Sequence, residues 1–162
     1  MLYIFFNQEY YFLTPYIDEE WMMHISYIDT YLPGCNINNE ELGSRLNFKP
    51  QLIEKLFGNY GRHFSTNLKT GENTASCTDL IHLMMQKLIS LNDNGMRDID
   101  FVLVSTATPD LLLPTSINEA CSMIGFKNIE TYQIIGGCSG AVQALKMADY
   151  MLKSGQHHKG LV

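Results

Sequence analysis

Five consecutive small residues, GGCSG from Gly136 to Gly140, separate a strand-like segment from a helix-like one, and this junction constrains the fold more than any other segment. Residues 131–135 have the pattern of a strand, and the apolar residues between 141 and 152 recur at helical spacing. A chain that turns directly from a strand into a helix has little room for bulky side chains at the turn. The sequence therefore predicts an α/β fold that presents Cys138 at the start of a helix.

Cys138 is the candidate catalytic residue. Helix N-termini carry free backbone N–H groups and a partial positive charge, and both favour a thiolate, the reactive form of cysteine. The small neighbours of Cys138 also leave room for the carbonyl carbon of a substrate to approach the sulfur. The alternative is that Cys138 is a small buried apolar residue, which is a common place for a free cysteine.

Strand and helix patterns alternate along the rest of the chain. The apolar run FVLV at 101–104 is typical of a strand covered on both faces. Such alternation predicts a layered α/β fold with a mostly parallel sheet. Strands are expected at 24–31, 101–104, 131–135 and from 160. Helices are expected after Asn38 or Asn39, after Pro50, and at 80–91, 116–124 and 141–154. The inner face of the helix at 80–91 is expected to consist of Leu80, Ile81, Met84, Leu88 and Leu91.

The N-terminal 22 residues are expected to lie outside this domain. They are rich in aromatic residues and contain no Lys or Arg, so they lack the basic start of a secretory signal. Met22 and Met23 directly precede the first clear strand, and we expect the biological start there. Residues 1–22 would then be an extension without a packing role, and residues 23–162 would form the domain.

Composition argues against several classes of function. The net charge is −6 and the 11 basic residues are scattered, so nucleic acid is not an expected partner. No apolar run approaches the ~18 residues of a membrane span. The four cysteines lack CxxC spacing, which predicts neither a metal site nor a redox pair. Free thiols in a reducing cytoplasm are the expected state, and no bound cofactor is expected.

Several short motifs resemble the N-terminal half of ketoacyl-acyl-carrier-protein synthase III and related enzymes of the thiolase superfamily, and they occur in the same order as in that family. The resemblance covers residues 24–162. The motifs are TYLP at 30–33, Gly58 with Arg62 and His63, ENTAS at 72–76, DIDFVLVSTATPD at 98–110, PTS at 114–116, Cys138 at the position of the nucleophile, and Ser154-Gly155 before Leu161-Val162.

The resemblance implies a thiolase-like layered α/β half with a mostly parallel five-stranded sheet whose last strand is truncated. It also implies that Cys138 takes an acyl group from acyl-coenzyme A or an acyl-carrier protein and passes it to a second substrate, in fatty acid or polyketide-like biosynthesis. Arg62 becomes a candidate cofactor-binding residue. Trp21, the single tryptophan, lies outside the matched region, and this favours delivery by a carrier protein over stacking on a coenzyme A adenine.

The resemblance places the family's catalytic His and Asn in a second half of the fold, which the matched residues 24–162 do not include. None of the five histidines is expected to replace that His. His157 and His158, for example, follow the helix after Cys138 by about 19 residues, which is too far along one helix at ~1.5 Å per residue. The chain is therefore expected to act as a half-enzyme, in a homo- or hetero-oligomer with a C-terminal half.

Two other functions remain as alternatives. A non-catalytic structural subunit could keep the fold and dimerise with a catalytic partner, although an intact GGCSG turn argues against it. An α/β-hydrolase would also use a Gly-x-Cys-x-Gly turn, which Gly136, Cys138 and Gly140 satisfy. That fold needs an acid and a histidine after the nucleophile, and Asp149 and His157 lie on or just after one helix, where they cannot converge on the sulfur.

Overall fold

The computed structural model describes residues 2–9, 22–91 and 98–162. The chain forms two compact units, a sheet unit made of residues 1–31 and 77–162 and an inserted unit made of residues 32–76. The sequence predicts one domain over residues 23–162, and in the structure residues 32–76 of that range form a compact unit of their own. The biological start at Met22 or Met23 stays a prediction.

A five-stranded sheet with the order β2-β1-β7-β5-β6 forms the centre of the sheet unit. The strand β5 is parallel to both of its neighbours, β6 and β7, as the alternation of strands and helices predicted. The strand β1 is antiparallel to both β2 and β7. The strands are β1 (Leu2–Glu9), β2 (Met22–Thr30), β5 (Phe101–Ser105), β6 (Glu130–Ile134) and β7 (Lys159–Leu161).

The position of β1 corrects the expectation that residues 1–22 have no packing role. Its backbone pairs with β2 from Leu2 opposite Thr30 to Glu9 opposite Met22, and with β7 from Phe5 to Asn7. Strand pairing satisfies backbone N–H and C=O groups whatever the side chains are. The polar residues at 7–9 therefore interrupt an apolar run without preventing a strand. Residues 10–21 of the expected extension lie outside the described residues.

Among the described residues, three helices cover the sheet, and β5 sends alternate side chains into a core on each face. Val102 and Val104 pack in one core with α3 and α4, whereas Phe101 and Leu103 pack in the other with α5. All four side chains are buried, which confirms the expected strand covered on both faces. The helices are α3 (Cys77–Leu91), α4 (Ser116–Ile124) and α5 (Gly140–Lys153).

The inner face of α3 agrees with its apolar spacing over most of its length. Ile81, Met84 and Leu88 are buried as predicted, whereas Leu80 is only half-buried. Leu91, which was assigned to the same face, is 56% exposed because it is the last residue of the helix. The end of the helix therefore lies beyond the core, although the helical period continues to it.

The inserted unit contains a short antiparallel pair of strands and two helices. Asn38 caps α1 by accepting a hydrogen bond from the Glu41 N–H at 2.8 Å, which confirms one of the two predicted caps. Gly58 ends α2 in a left-handed conformation with φ 60°. The elements are β3 (Asn36–Asn38), α1 (Asn39–Leu46), α2 (Pro50–Phe57) and β4 (Gly61–His63). In the described part of the chain, no helix is long and apolar enough to cross a membrane.

Candidate functional site

Cys138 lies in a single 3₁₀ turn, Gly137–Ser139, between the end of β6 and the start of α5. The preceding residue Gly137 has φ +53°, a left-handed conformation that favours glycine. This conformation reverses the chain between strand and helix within a few residues. We call residues 136–140 the elbow. The structure thus confirms the predicted strand–turn–helix arrangement around the cysteine.

Close packing explains why Gly136 and Gly140, which flank the turn that holds Cys138, are glycines. A Cβ atom on Gly136 would stand 2.7 Å from the Gln143 Oε1 and 2.8 Å from the Gly140 Cα. A Cβ atom on Gly140 would collide with the Ser105 hydroxyl at the end of β5. The start of α5 therefore lies directly against the carboxyl end of the sheet, and any larger residue at either glycine would push it away.

The Cys138 side chain is exposed, in contrast to the buried Cys121 of α4. Cys138 lies two residues before a 14-residue helix, whose first backbone N–H groups have no partner within the helix. Exposure allows a reagent or substrate to reach the sulfur, and the helix start provides donors for an anion that forms there. The alternative of a small buried apolar residue is wrong for Cys138.

Two side chains, one from the elbow and one from α5, hold the turn together, and neither contact was predicted from the sequence. The Ser139 hydroxyl donates to the Gly136 carbonyl at 2.9 Å, and the Gln143 Nε2 donates to the Ser139 Oγ at 3.0 Å. Ser139 and Gln143 are separated by four residues, so they are neighbours on the first turn of a helix. That spacing is the signal from which the contact could have been found.

Asp110 joins the starts of α3 and α4 near the carboxyl ends of the strands. Its carboxylate accepts hydrogen bonds from the Cys77 N–H at 2.8 Å and the Thr78 N–H at 2.6 Å, and its own N–H donates to the Ser116 hydroxyl at 3.1 Å. Burial acts to raise the pKa of Asp110, but hydrogen bonds from Thr78, Cys77 and Ser116 outweigh it and hold this pKa below its usual value. The Ser116 N–H in turn donates to the Gln133 Oε1 on β6 at 3.1 Å.

His157 and His158 are at the other end of the sheet from Cys138, as their distance along the chain predicted. The His157 Nε2 is 3.4 Å from the Glu130 carboxylate at the start of β6, whereas Cys138 follows the end of that strand. A five-residue strand spans about 17 Å. The Asp149 carboxylate forms an ion pair with Lys153 at 3.0 Å. Asp149 and His157 therefore do not form, with Cys138, the catalytic triad that an α/β-hydrolase requires.

The Arg62 guanidinium is engaged within the inserted unit. One terminal nitrogen donates to the Asn39 Oδ1 at 2.6 Å and to the Asn59 Oδ1 at 3.2 Å, and the other donates to the Ile37 carbonyl at 3.4 Å. Asn39 is buried, so Arg62 satisfies a polar group that would otherwise lack a partner. These contacts favour a structural role for Arg62 over the predicted binding role.

The described residues contain no group of three or more His, Cys, Asp or Glu side chains that could hold a metal ion. All four cysteines are free thiols. A cavity of about 550 Å³ lies in the inserted unit between α1 and the segment after β4, and Cys138 does not line it. Its lining residues are Leu42, Arg45, Leu46, Phe64 and Leu68.

The layered α/β unit, with a cysteine at the elbow between a parallel strand and a helix, fits the thiolase-like class that the motifs predicted, and solved structures agree. AbyA1, a tetronic acid condensing enzyme, is 32% identical with a TM-score of 0.67, over 78% of this chain and 38% of its own. The β-ketoacyl-acyl-carrier-protein synthase III of Thermus thermophilus has a TM-score of 0.65 at 22% identity, over 78% of this chain and 37% of its own, which supports the fold alone.

Sequence relatives lead to a more specific assignment. The β-ketoacyl-[acyl-carrier-protein] synthase III of Streptococcus suis is 34% identical over 138 residues, and that of Lactococcus lactis is 33% identical over the same length. Each match covers 85% of this chain and 40% of the relative. A scan against models of protein families finds no match. The chain is a ketoacyl-acyl-carrier-protein synthase III-like sequence, as its motifs predicted, and spans about two fifths of the relatives it matches.

Proposed function

We propose that this chain is the nucleophile-bearing half of an acyltransferase that forms an acyl-cysteine intermediate on Cys138. The observation that carries the proposal is the exposed Cys138 side chain near the start of α5, in an elbow where close packing requires Gly136 and Gly140 and a positive φ favours Gly137. The relatives named as synthases III and the tetronic acid condensing enzyme support acyl condensation as the reaction, in fatty acid or polyketide biosynthesis.

The proposed reaction has two steps. In the first, the Cys138 thiolate attacks the carbonyl carbon of an acyl thioester on coenzyme A or a carrier protein, a new C–S bond forms, and the carrier thiol leaves with a proton. In the second, a carboxylated thioester loses CO₂, and the resulting carbanion attacks the acyl-cysteine carbonyl carbon. A C–C bond forms, and the Cys138 thiolate is released.

The second step requires groups that stabilise the carbanion and the oxyanion. Among the described residues, no histidine is hydrogen-bonded to the Cys138 thiol. We therefore propose that a C-terminal half, in a homo- or hetero-oligomer, supplies the family's His and Asn. Loss of general acid–base catalysis typically slows a reaction by ~10²–10⁴-fold. The chain alone should accordingly accept an acyl group but condense it poorly.

Mass spectrometry of the intact chain after incubation with acyl-coenzyme A or an acyl-carrier protein tests the first step. We expect one added acyl group, mapped to Cys138 and lost in Cys138→Ala. Cys35→Ala is the matched control, since Cys35 is also exposed and should not affect acylation. Acylation that persists in Cys138→Ala would refute the assigned nucleophile.

Condensation is tested by co-expressing the chain with the remaining part of a synthase III relative. Product formation should require both parts and the Cys138 thiol. Efficient turnover by the chain alone would contradict the half-enzyme proposal. Unchanged activity of the assembled complex with Cys138→Ala would instead support the alternative of a non-catalytic structural subunit. Cytoplasmic location is part of the same proposal and can be examined by fractionation.

A further inference from the structure

The elbow around Cys138 is closed by a chain of two side-chain hydrogen bonds. The Ser139 hydroxyl donates to the Gly136 carbonyl at 2.9 Å, and it accepts from the Gln143 Nε2 at 3.0 Å. A hydroxyl can donate once and accept as well, so Ser139 can make both bonds at the same time. The two bonds connect the residue before the turn, the turn itself and the first turn of α5.

Steric contact strengthens the link between Gln143 and the elbow. The Gln143 Oε1 lies so close to Gly136 that a Cβ there would be 2.7 Å away. The amide of Gln143 therefore donates to Ser139 through its nitrogen and lies against Gly136 with its oxygen side. Nothing in the apolar pattern of α5 requires an amide here, because Gln143 is on the exposed side of the helix.

We propose that Ser139 and Gln143 are positioning residues that hold the Cys138 turn against the start of α5. This inference rests on the proposed function of Cys138 as a nucleophile. Gly137 can adopt many backbone conformations, so the turn needs tertiary contacts to stay in one of them. With the two hydrogen bonds in place, Cys138 stays in its turn at the start of the helix, where the first N–H groups lack a partner within the helix. Without them, the thiol spends part of its time in other orientations.

The rate of alkylation of Cys138 by iodoacetamide, followed by peptide mass spectrometry, measures this effect without any acyl substrate. We expect Ser139→Ala and Gln143→Ala each to slow alkylation of Cys138 by about threefold to tenfold, which is the range of one ordinary hydrogen bond. Because the two residues share one chain of bonds, the double variant should be no slower than the slower single variant.

Matched variants separate positioning from a general loss of structure. Gln143→Glu keeps the size of the side chain and removes the donor, so it should be as slow as Gln143→Ala. Ser139→Thr keeps the hydroxyl and should restore most of the rate. Val142→Ala, at an exposed neighbour on α5, should leave the rate unchanged.

Two other cysteines serve as references in the same molecule. Cys35 is exposed in the inserted unit and should react equally in all variants, whereas Cys121 is buried and should react only if the sheet unit unfolds. If Cys121 reacts in Gln143→Ala, that variant has lost structure. The rate of Cys138 alkylation in Gln143→Glu, which keeps the size of the side chain, then tests the proposal instead. Alkylation of Cys138 within twofold of the wild type in both Ser139→Ala and Gln143→Glu would overturn the proposal. Failure of acyl transfer to wild-type Cys138, with these rate effects intact, would refute the proposed function alone.

Discussion

Replacement of Asp110 by alanine should destabilise the sheet unit at the starts of two helices. The carboxylate accepts from the Cys77 and Thr78 N–H groups of α3 at 2.8 and 2.6 Å, and from the Ser116 hydroxyl of α4 at 3.5 Å. Loss of such a cap costs about 0.5–2 kcal/mol. Asp110 is exposed, so screening by solvent limits the ionic part of the loss. We expect the free energy of unfolding to fall by about 1–2 kcal/mol and Tm by about 2–8 °C.

The pH dependence of this loss follows from the lowered pKa of Asp110. Burial opposes the shift, but the hydrogen bonds that the carboxylate accepts hold the folded-state pKa below its ordinary value of 3.8. A depressed carboxyl pKa adds stability that is fully present above the unfolded-state pKa and is lost as the pH falls through the folded-state pKa. The difference in stability between wild type and Asp110→Ala should therefore be full at pH 7 and shrink below about pH 3.8.

Urea unfolding followed by circular dichroism at pH 7 and pH 3 measures both effects. Asp149→Ala is the matched control, because it also removes a carboxylate but breaks only an i,i+4 surface pair with Lys153. Such a pair contributes about 0.3–0.5 kcal/mol. Equal urea midpoints for the two variants at pH 7 would refute the capping argument. A difference between wild type and Asp110→Ala that is undiminished at pH 3 would refute the argument from the pKa.

Two further predictions concern burial in the sheet unit. Met85 on α3 is 1% exposed, whereas Met123 on α4 is 54% exposed. Met85→Ala should therefore lower the free energy of unfolding, measured in urea, by about 2–5 kcal/mol, and Met123→Ala should lower it much less. Similar losses in the two variants would contradict the position of the core. Burial raises the pKa of the Cys121 thiol to about 11, so at pH 8 iodoacetamide should modify Cys121 only in denaturant. Labelling of native Cys121 as fast as that of exposed Cys138 would count against this assignment.

Local patterns in the sequence predicted the elements of the sheet unit closely. Helix α4 was expected at 116–124 and spans Ser116–Ile124, because Thr115 caps its start and Gly125 ends it. The apolar run at 101–104 became the strand buried on both faces. Caps, glycines and apolar runs act within a few residues of one another, so they can be recognised without knowledge of the fold. The strand β1 was missed because the polar residues at 7–9 interrupt its apolar run, whereas its pairing with β2 and β7 satisfies the backbone whatever the side chains are.

The sequence by itself determined that a cysteine stands between a strand and a helix among small residues, and the motifs around it were sufficient to indicate the relationship to synthases III. Only the tertiary structure decided that the Cys138 side chain is exposed, that Arg62 bonds within the inserted unit, and that Gln143 reaches back to Ser139. The physical reason is that residue type and spacing specify backbone conformation locally. Exposure and hydrogen-bond partners depend on which segments pack together, and a single sequence does not display that packing.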